Sequence, residues 1–279
     1  MTKKQKIIDA AIELFAKQGI ETTTIQQITA YSGISKGAFY LSFPSKDALI
    51  LEMIDYFMKL ITANIDHLVN EAKKEKLTVY FEATFTSLAE YAEFARILML
   101  ENFSLTGEDI LSKMMYYEQL ADELLGQILL AEYGERIEPI IYELIMLVKS
   151  FMKSYTMLLF MPHEQVDIKR LSESLVEKTE ILAMYTTKAY LTHPVHAGMK
   201  TDSFTKAQIC EELVQVAQLD LSPLAKDSVQ IVREELATEK PRIALLTGML
   251  ANLEEEPKMG WCCYMLRRYI KEQQALLSV

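Results

Sequence analysis

The chain has 279 residues, half of them apolar and 24% charged, with only nine Gly and seven Pro. Those proportions exclude a disordered chain and a turn-rich all-β fold, and the length allows about two domains at roughly 150 residues each. Twenty-nine basic against 39 acidic residues leave a net charge of −10, so the whole molecule is no nucleic-acid coat, and three cysteines (Cys210, Cys262, Cys263) form no disulfide framework and read as reduced thiols.

Taken in chain order, the pattern is helical. Ile7, Ala10, Ala11, Leu14 and Phe15 recur at i, i+3, i+4, i+7 and i+8, the stripe of an amphipathic helix, and Asp9 and Glu13 inside it exclude a signal-peptide core. Gly19 is placed to stop that helix in the left-handed conformation. Thr24, with Gln27 three residues on, predicts a capping box for a short helix over about 25–31 that turns Ile25 and Ile28 inward. Ser32-Gly33 makes a tight turn, and Ser35 caps a second short helix carrying Lys36, Gly37, Ala38, Phe39 and Tyr40. Phe43 closes the local core, and Ser45 caps a long helix over 45–74. Helices are expected next over 77–92, 93–104, 108–133, 138–161 and 167–191, with Gly107, Gly134, Pro139, Pro162 and Pro194 as breakers. The most apolar stretch, 140–161, contains Glu143, Lys149 and Lys153, charges that a bilayer centre penalises, so it reads as a buried helix of a soluble bundle. A polar connector at 192–203 precedes four shorter helices near 204–218, 223–238, 241–254 and 258–276. No strand alternation is evident, and the expected fold class is all-α.

Two short helices joined by a glycine turn form a helix-turn-helix, a DNA-reading device. Residues 1–47 carry six Lys against four acidic residues, net +2, which leaves −12 for the remainder. A mildly basic tip on an acidic body suits a protein that meets a polyanion end-on. The N-terminus of the second short helix offers unpaired N–H groups and a positive dipole end, matched to a phosphate or a major-groove edge. There Gly37 lets the backbone come close, Lys36 can reach a base acceptor or a phosphate, and the ring and hydroxyl of Tyr40 suit the DNA backbone or a thymine methyl. Thr24 and Lys46, at the starts of the flanking helices, are placed to hold phosphates. Phe39 and Phe43 are assigned to packing.

The run Gly19, Thr23-Thr24-Ile25, Ile28, Gly33-Ile34-Ser35-Lys36-Gly37, Tyr40, Phe43, Lys46 and Leu49 resembles the DNA-binding signature of the tetracycline-repressor (TetR) family, over about residues 5–50. Thr29 and Ser32 stand where that family usually has Ala; both are small enough for the turn to survive. The resemblance implies an N-terminal three-helix helix-turn-helix domain (1–47) with Thr24, Ser35, Lys36, Gly37, Tyr40 and Lys46 as its DNA-contacting set. It further implies a helical effector-binding and dimerisation domain (48–192), whose helices at 138–161 and 167–191 pair across a homodimer. The implied partners are palindromic double-stranded operator DNA and a small-molecule effector, and the implied role is that of a cytoplasmic repressor released by that effector, with no membrane partner. Aromatic and Met residues at helical spacing between 80 and 160 are more often core than pocket, but the resemblance implies that some line an effector pocket, for which Phe81, Phe85, Met99, Phe103, Tyr117, Tyr142 and Tyr155 are the candidates. Glu82, Glu101 and Glu118 read as a solvated face rather than as partners of a cationic ligand.

Members of that family commonly end near residue 195, so the C-terminal extension (193–279) has no family reading. Its own pattern predicts extra helices packed as an accessory bundle, with Trp261 buried and no DNA contact; a detachable partner-binding arm is the alternative. His193 and His196 are too few for a metal site, which needs three or four ligands, and the adjacent Cys262 and Cys263 are not a CxxC pair. No P-loop, GxGxxG, HExxH or GxSxG motif occurs, so no enzyme activity, metal or cofactor is expected. The alternative to a regulator is a helical protein-interaction module whose DNA-binding head has drifted.

Overall fold

The computed structural model describes residues 3–92, 108–161, 165–195 and 204–277. Met99, Glu101, Phe103, His196 and the helix expected over 93–104 lie outside them. Among the described residues there is no strand. The chain divides into two compact units: Met1–Ile61 with Ala72–Ala197, and Thr62–Glu71 with Gly198–Val279.

The first unit begins with α1 (Lys3–Gln18), α2 (Ile25–Ser32), α3 (Lys36–Ser42) and the start of α4 (Lys46–Glu71). Ile7, Ile8, Ala10, Ala11 and Phe15 of α1 are buried with Ile28, Phe39, Phe43, Leu49, Met53 and Ile54 in one apolar cluster. The caps are those the sequence predicts. Gly19 (φ +84°) stops α1 and returns its N–H to the Phe15 carbonyl at 2.9 Å. The Thr24 hydroxyl accepts from the Gln27 N–H at 3.2 Å while Gln27 Oε1 accepts from the Thr24 N–H at 2.8 Å. Gly33 (φ +67°) ends α2, Ser35 caps α3, and Ser45 caps α4 by accepting from the Ala48 N–H at 3.0 Å. The two departures from Ala are absorbed locally: the Thr29 hydroxyl donates to the Gln26 carbonyl at 3.0 Å and Ser32 to the Thr29 carbonyl at 3.2 Å.

The unit continues with α5 (Lys76–Glu90), α6 (Glu108–Tyr133), α7 (Ile141–Thr156) and α8 (Ile168–Tyr185). Helix α5 packs on α6 and α8, and α7 packs on both α6 and α8. Two expectations are corrected here. The helix expected over 138–161 is three pieces: a 3-10 turn at Glu135–Ile140, α7, and a second 3-10 turn at Met157–Phe160. The helix expected to reach 191 stops at Tyr185. Beyond it the Glu143 carboxylate accepts from the backbone N–H groups of Tyr190 and Leu191 at 3.1 and 3.0 Å, competing with helical partners.

The second unit contains α9 (Lys206–Val216), α10 (Pro223–Leu236), α11 (Ile243–Glu254) and α12 (Gly260–Leu277), together with the last ten residues of α4. Thr205 and Ser222 cap α9 and α10, and Pro223 sits at the first turn of α10, where its missing N–H costs nothing. Helices α10, α11 and α12 pack in sequence, and α9 closes on α10 and α12. From Cys262 to Arg267 every residue of α12 is buried, as are Tyr269 and Ile270, so this part of α12 is enclosed on every side, while its last turns at Lys271 and Gln274–Leu276 are exposed. Trp261, expected buried, is half-buried: it stacks on Tyr264 at 5.0 Å and meets the edge of Phe204 at 5.8 Å.

Candidate nucleic-acid interface

The short helix α3 is held from below and presented from above. Phe39 is fully buried, 5.8 Å from the Phe43 ring and 5.6 Å from that of Tyr40. A seven-residue helix is too short to be stable alone, so this aromatic anchor and the Ser35 cap define it. Anchoring Phe39 turns Lys36, Gly37 and Tyr40 outward, with Tyr40 46% exposed. A Cβ built on Gly37 would meet nothing within 4 Å, so the chain itself has no packing need for glycine there. What the missing side chain provides is clearance for an approaching molecule.

Of the six residues expected to contact DNA, Ser35, Lys36, Gly37 and Tyr40 are brought together on the exposed side of α3. Thr24 stands at the start of α2, its hydroxyl engaged in the capping box. Lys46 has a structural task that the sequence does not announce. Its ammonium donates to the carbonyls of Ile20, Glu21 and Thr23 at 2.9, 3.4 and 3.2 Å, tying the α1–α2 turn to the start of α4. One exposed residue escaped the sequence reading: Leu41, 90% exposed and beside Gly37 on the helix surface. Its signal was present, because once Phe39 and Phe43 are assigned inward the helical period turns Leu41 out.

The effector candidates within the described residues lie on three helices, α5, α6 and α7. Phe81 and Phe85 are fully buried on α5, while Tyr142 and Tyr155 on α7 are half-buried. Tyr117 is buried and its hydroxyl donates to Asp55 Oδ1 at 2.9 Å, a tie between α6 and α4. The same carboxylate meets Lys113 at 2.8 Å and Lys59 at 3.2 Å. Burial pushes Asp55 upward, but the Lys113 hydrogen bond and the two ammonium charges outweigh it and hold the group below the usual carboxylate range. Glu118 is not simply solvated: with Asp122 it grips Lys149 from α7, and Tyr80, buried nearby, has its phenol pushed well above its ordinary value by desolvation and those two carboxylates.

Among the described residues, no three His, Cys, Asp or Glu side chains gather as a metal site. Cys262 and Cys263 are buried, and burial pushes the Cys263 thiol up to about 12, too high for a reactive thiolate. No described helix is long and apolar enough to cross a membrane.

A capped, aromatically anchored α3 exposing Lys36, Gly37, Tyr40 and Leu41 defines the class of helix-turn-helix DNA-binding proteins. A family model described as "Bacterial regulatory proteins, tetR family" matches residues 7–53. The chain is 32% identical over 267 residues to the uncharacterized HTH-type transcriptional regulator YerO of Bacillus subtilis, covering 90% of this chain and 89% of that one. A second regulator of that bacterium, YuxN, is 25% identical over 295 residues and covers 98% of this chain and 99% of its own, so this likeness runs into the C-terminal unit. The chain belongs to the TetR family of bacterial regulatory proteins. In fold it is similar to the fatty acid degradation regulator FadR of Bacillus halodurans, with a TM-score of 0.56 at 22% identity, covering 97% of that chain and 67% of this one.

Proposed function

We propose that this DNA-binding regulator is a homodimeric repressor that occupies a palindromic operator and leaves it when a small molecule binds its helical core. The observation that carries the reading is the outward face of α3, where an exposed Lys36, an open backbone at Gly37 and two large exposed side chains, Tyr40 and Leu41, stand above the buried Phe39. A drifted head in a protein-interaction module has no reason to retain that combination. One short helix reads few base pairs, which favours a two-fold dimer on a palindrome. Exposed apolar side chains on α7 (Met146) and α8 (Ile181, Met184, Tyr185) suit the partner helices of such a dimer.

Function then divides as 1–47 for DNA, 48–192 for effector and dimer, and 193–279 as an accessory bundle, working in the cytoplasm. Helix α4 leaves the head through the Asp55–Tyr117–Lys113 tie to α6, so an effector wedged among the α5–α7 helices, which carry Phe81, Phe85, Tyr117, Tyr142 and Tyr155, would move it. Such a ligand acts only through its differential affinity for the two states of the head, and tenfold release needs about 1.4 kcal/mol of coupling. The test is selection from random-sequence duplex DNA: the full chain should enrich an inverted repeat, and enrichment of no sequence would sink the reading.

A further inference from the structure

Helix α4 is one unbroken helix from Lys46 to Glu71, and its last ten residues belong to the C-terminal unit. There Ala63, Ile65 and Val69 are buried, and a Cβ built on Gly260 of α12 would lie 3.6 Å from that of Ala63. Asp66 is only 4% exposed and Arg267 of α12 only 9%. The Arg267 guanidinium bridges Asp66 on α4 and Glu254 on α11, one nitrogen to each carboxylate. Asn70 donates to Asp66 Oδ1 at 2.9 Å and accepts from Lys271 at 3.1 Å. A buried arginine fork joining three helices is a specific lock: a charge so placed is tolerated only while its partners are in position.

We propose that the C-terminal unit is a regulatory module that sets operator affinity by fixing the far end of α4, with Arg267 as the positioning residue. The inference rests on the DNA-binding reading above. The logic is covalent. The head's own cluster includes Leu49, Ile50, Met53, Ile54 and Phe57 of α4, and the same helix ends in the Arg267 lock. Helical order propagates cooperatively from turn to turn, so a helix secured at both ends samples fewer states than one secured at its start alone. Releasing the far end therefore obliges DNA binding to supply ordering that the lock now supplies, and affinity falls. A signal that loosened this unit would act as a second control on the head, separate from any effector in the α5–α7 region.

The test uses the full chain and a duplex that the wild type selects from random DNA. Arg267→Met should weaken binding to that duplex at least fivefold and shift the emission of Trp261, the only tryptophan, which reports on the C-terminal unit. Arg267→Lys, which keeps the charge but not the fork, should recover part of the affinity, and it serves alone if Arg267→Met does not fold. With Gly-Gly inserted between Ile61 and Thr62 to break helical continuity, the same substitution should change affinity less than twofold. An Arg267→Met protein with a dissociation constant within twofold of wild type overturns the proposal, whether or not the emission moves. So does an undiminished fivefold loss in the insertion background. A wild type that selects no duplex fails earlier, at the DNA-binding reading itself.

Discussion

Lys36 and Tyr40 lie one turn apart on the exposed side of α3, and the proposed function gives each a different chemistry toward DNA. Lys36→Ala should cost about 1–3 kcal/mol of operator binding and relax sequence preference, measured by competition with nonspecific duplex. Leu41→Ser should weaken binding with no change in melting temperature, because a side chain 90% exposed contributes almost nothing to the fold. Lys46 is expected to behave otherwise. Its three carbonyl acceptors mean that Lys46→Ala lowers the stability of the head as well as its affinity, by about 1–3 kcal/mol in thermal denaturation. Asp55 has a pH signature. Its carboxyl in the folded chain is held below the ordinary carboxylate range, so the unfolded chain binds the proton more tightly, and stability present above the unfolded value is lost as pH falls through the folded one. Asp55→Asn should flatten this part of the acid-unfolding curve; an unchanged acid limb would show that the Asp55 tie contributes nothing.

Whole elements are governed by their ends. At the α2–α3 turn, Gly33 holds φ +67° and an added Cβ would meet nothing within 4 Å, so only backbone strain opposes a side chain. Gly33→Ala should therefore cost about 1–2 kcal/mol in denaturant unfolding, the price of a left-handed L-residue, without altering packing. The extents of α1 and α6 are legible in the sequence because a glycine, Gly19 or Gly134, follows each. The ends of α7 and α8 are not: 3-10 turns flank α7, and past the end of α8 the chain at Tyr190 and Leu191 is held by a carboxylate, Glu143, more than 40 residues away in sequence. In α12 the pattern misled about Trp261 for a related reason. Burial on every side removes the amphipathic stripe, and the largest ring is left at the helix start, stacked on Tyr264 rather than enclosed.

For the molecule as a whole, association with DNA is an electrostatic event on a chain of net charge −10. The proposed dimer would neutralise several phosphates with Lys and release their counterions, so raising salt from about 50 to about 200 mM should weaken operator binding by roughly 10³-fold. Assembly is testable through the exposed apolar side chains of α8: Met184→Glu should shift sedimentation from dimer to monomer without unfolding, since that side chain is half exposed in a single chain. A wild type that sediments as a monomer at micromolar concentration would remove the dimer from the proposal.

What the sequence determined by itself was local. The caps at Thr24, Ser35 and Ser45, the glycine stops at Gly19 and Gly33 and the inward Phe39 and Phe43 are interactions between residues a few positions apart, so their spacing is their structure. The recognition face followed from them. What only the tertiary structure decided were pairings across long stretches of chain: Lys46 with the α1–α2 turn, Tyr117 with Asp55, and above all Arg267 with Asp66, 201 residues apart. Contacts of this kind also group the last turns of α4, Thr62–Glu71, with Gly198–Val279 in the C-terminal unit. A buried charge pair leaves no periodic trace in either partner's sequence, because each residue alone looks like one more charge on a helix surface.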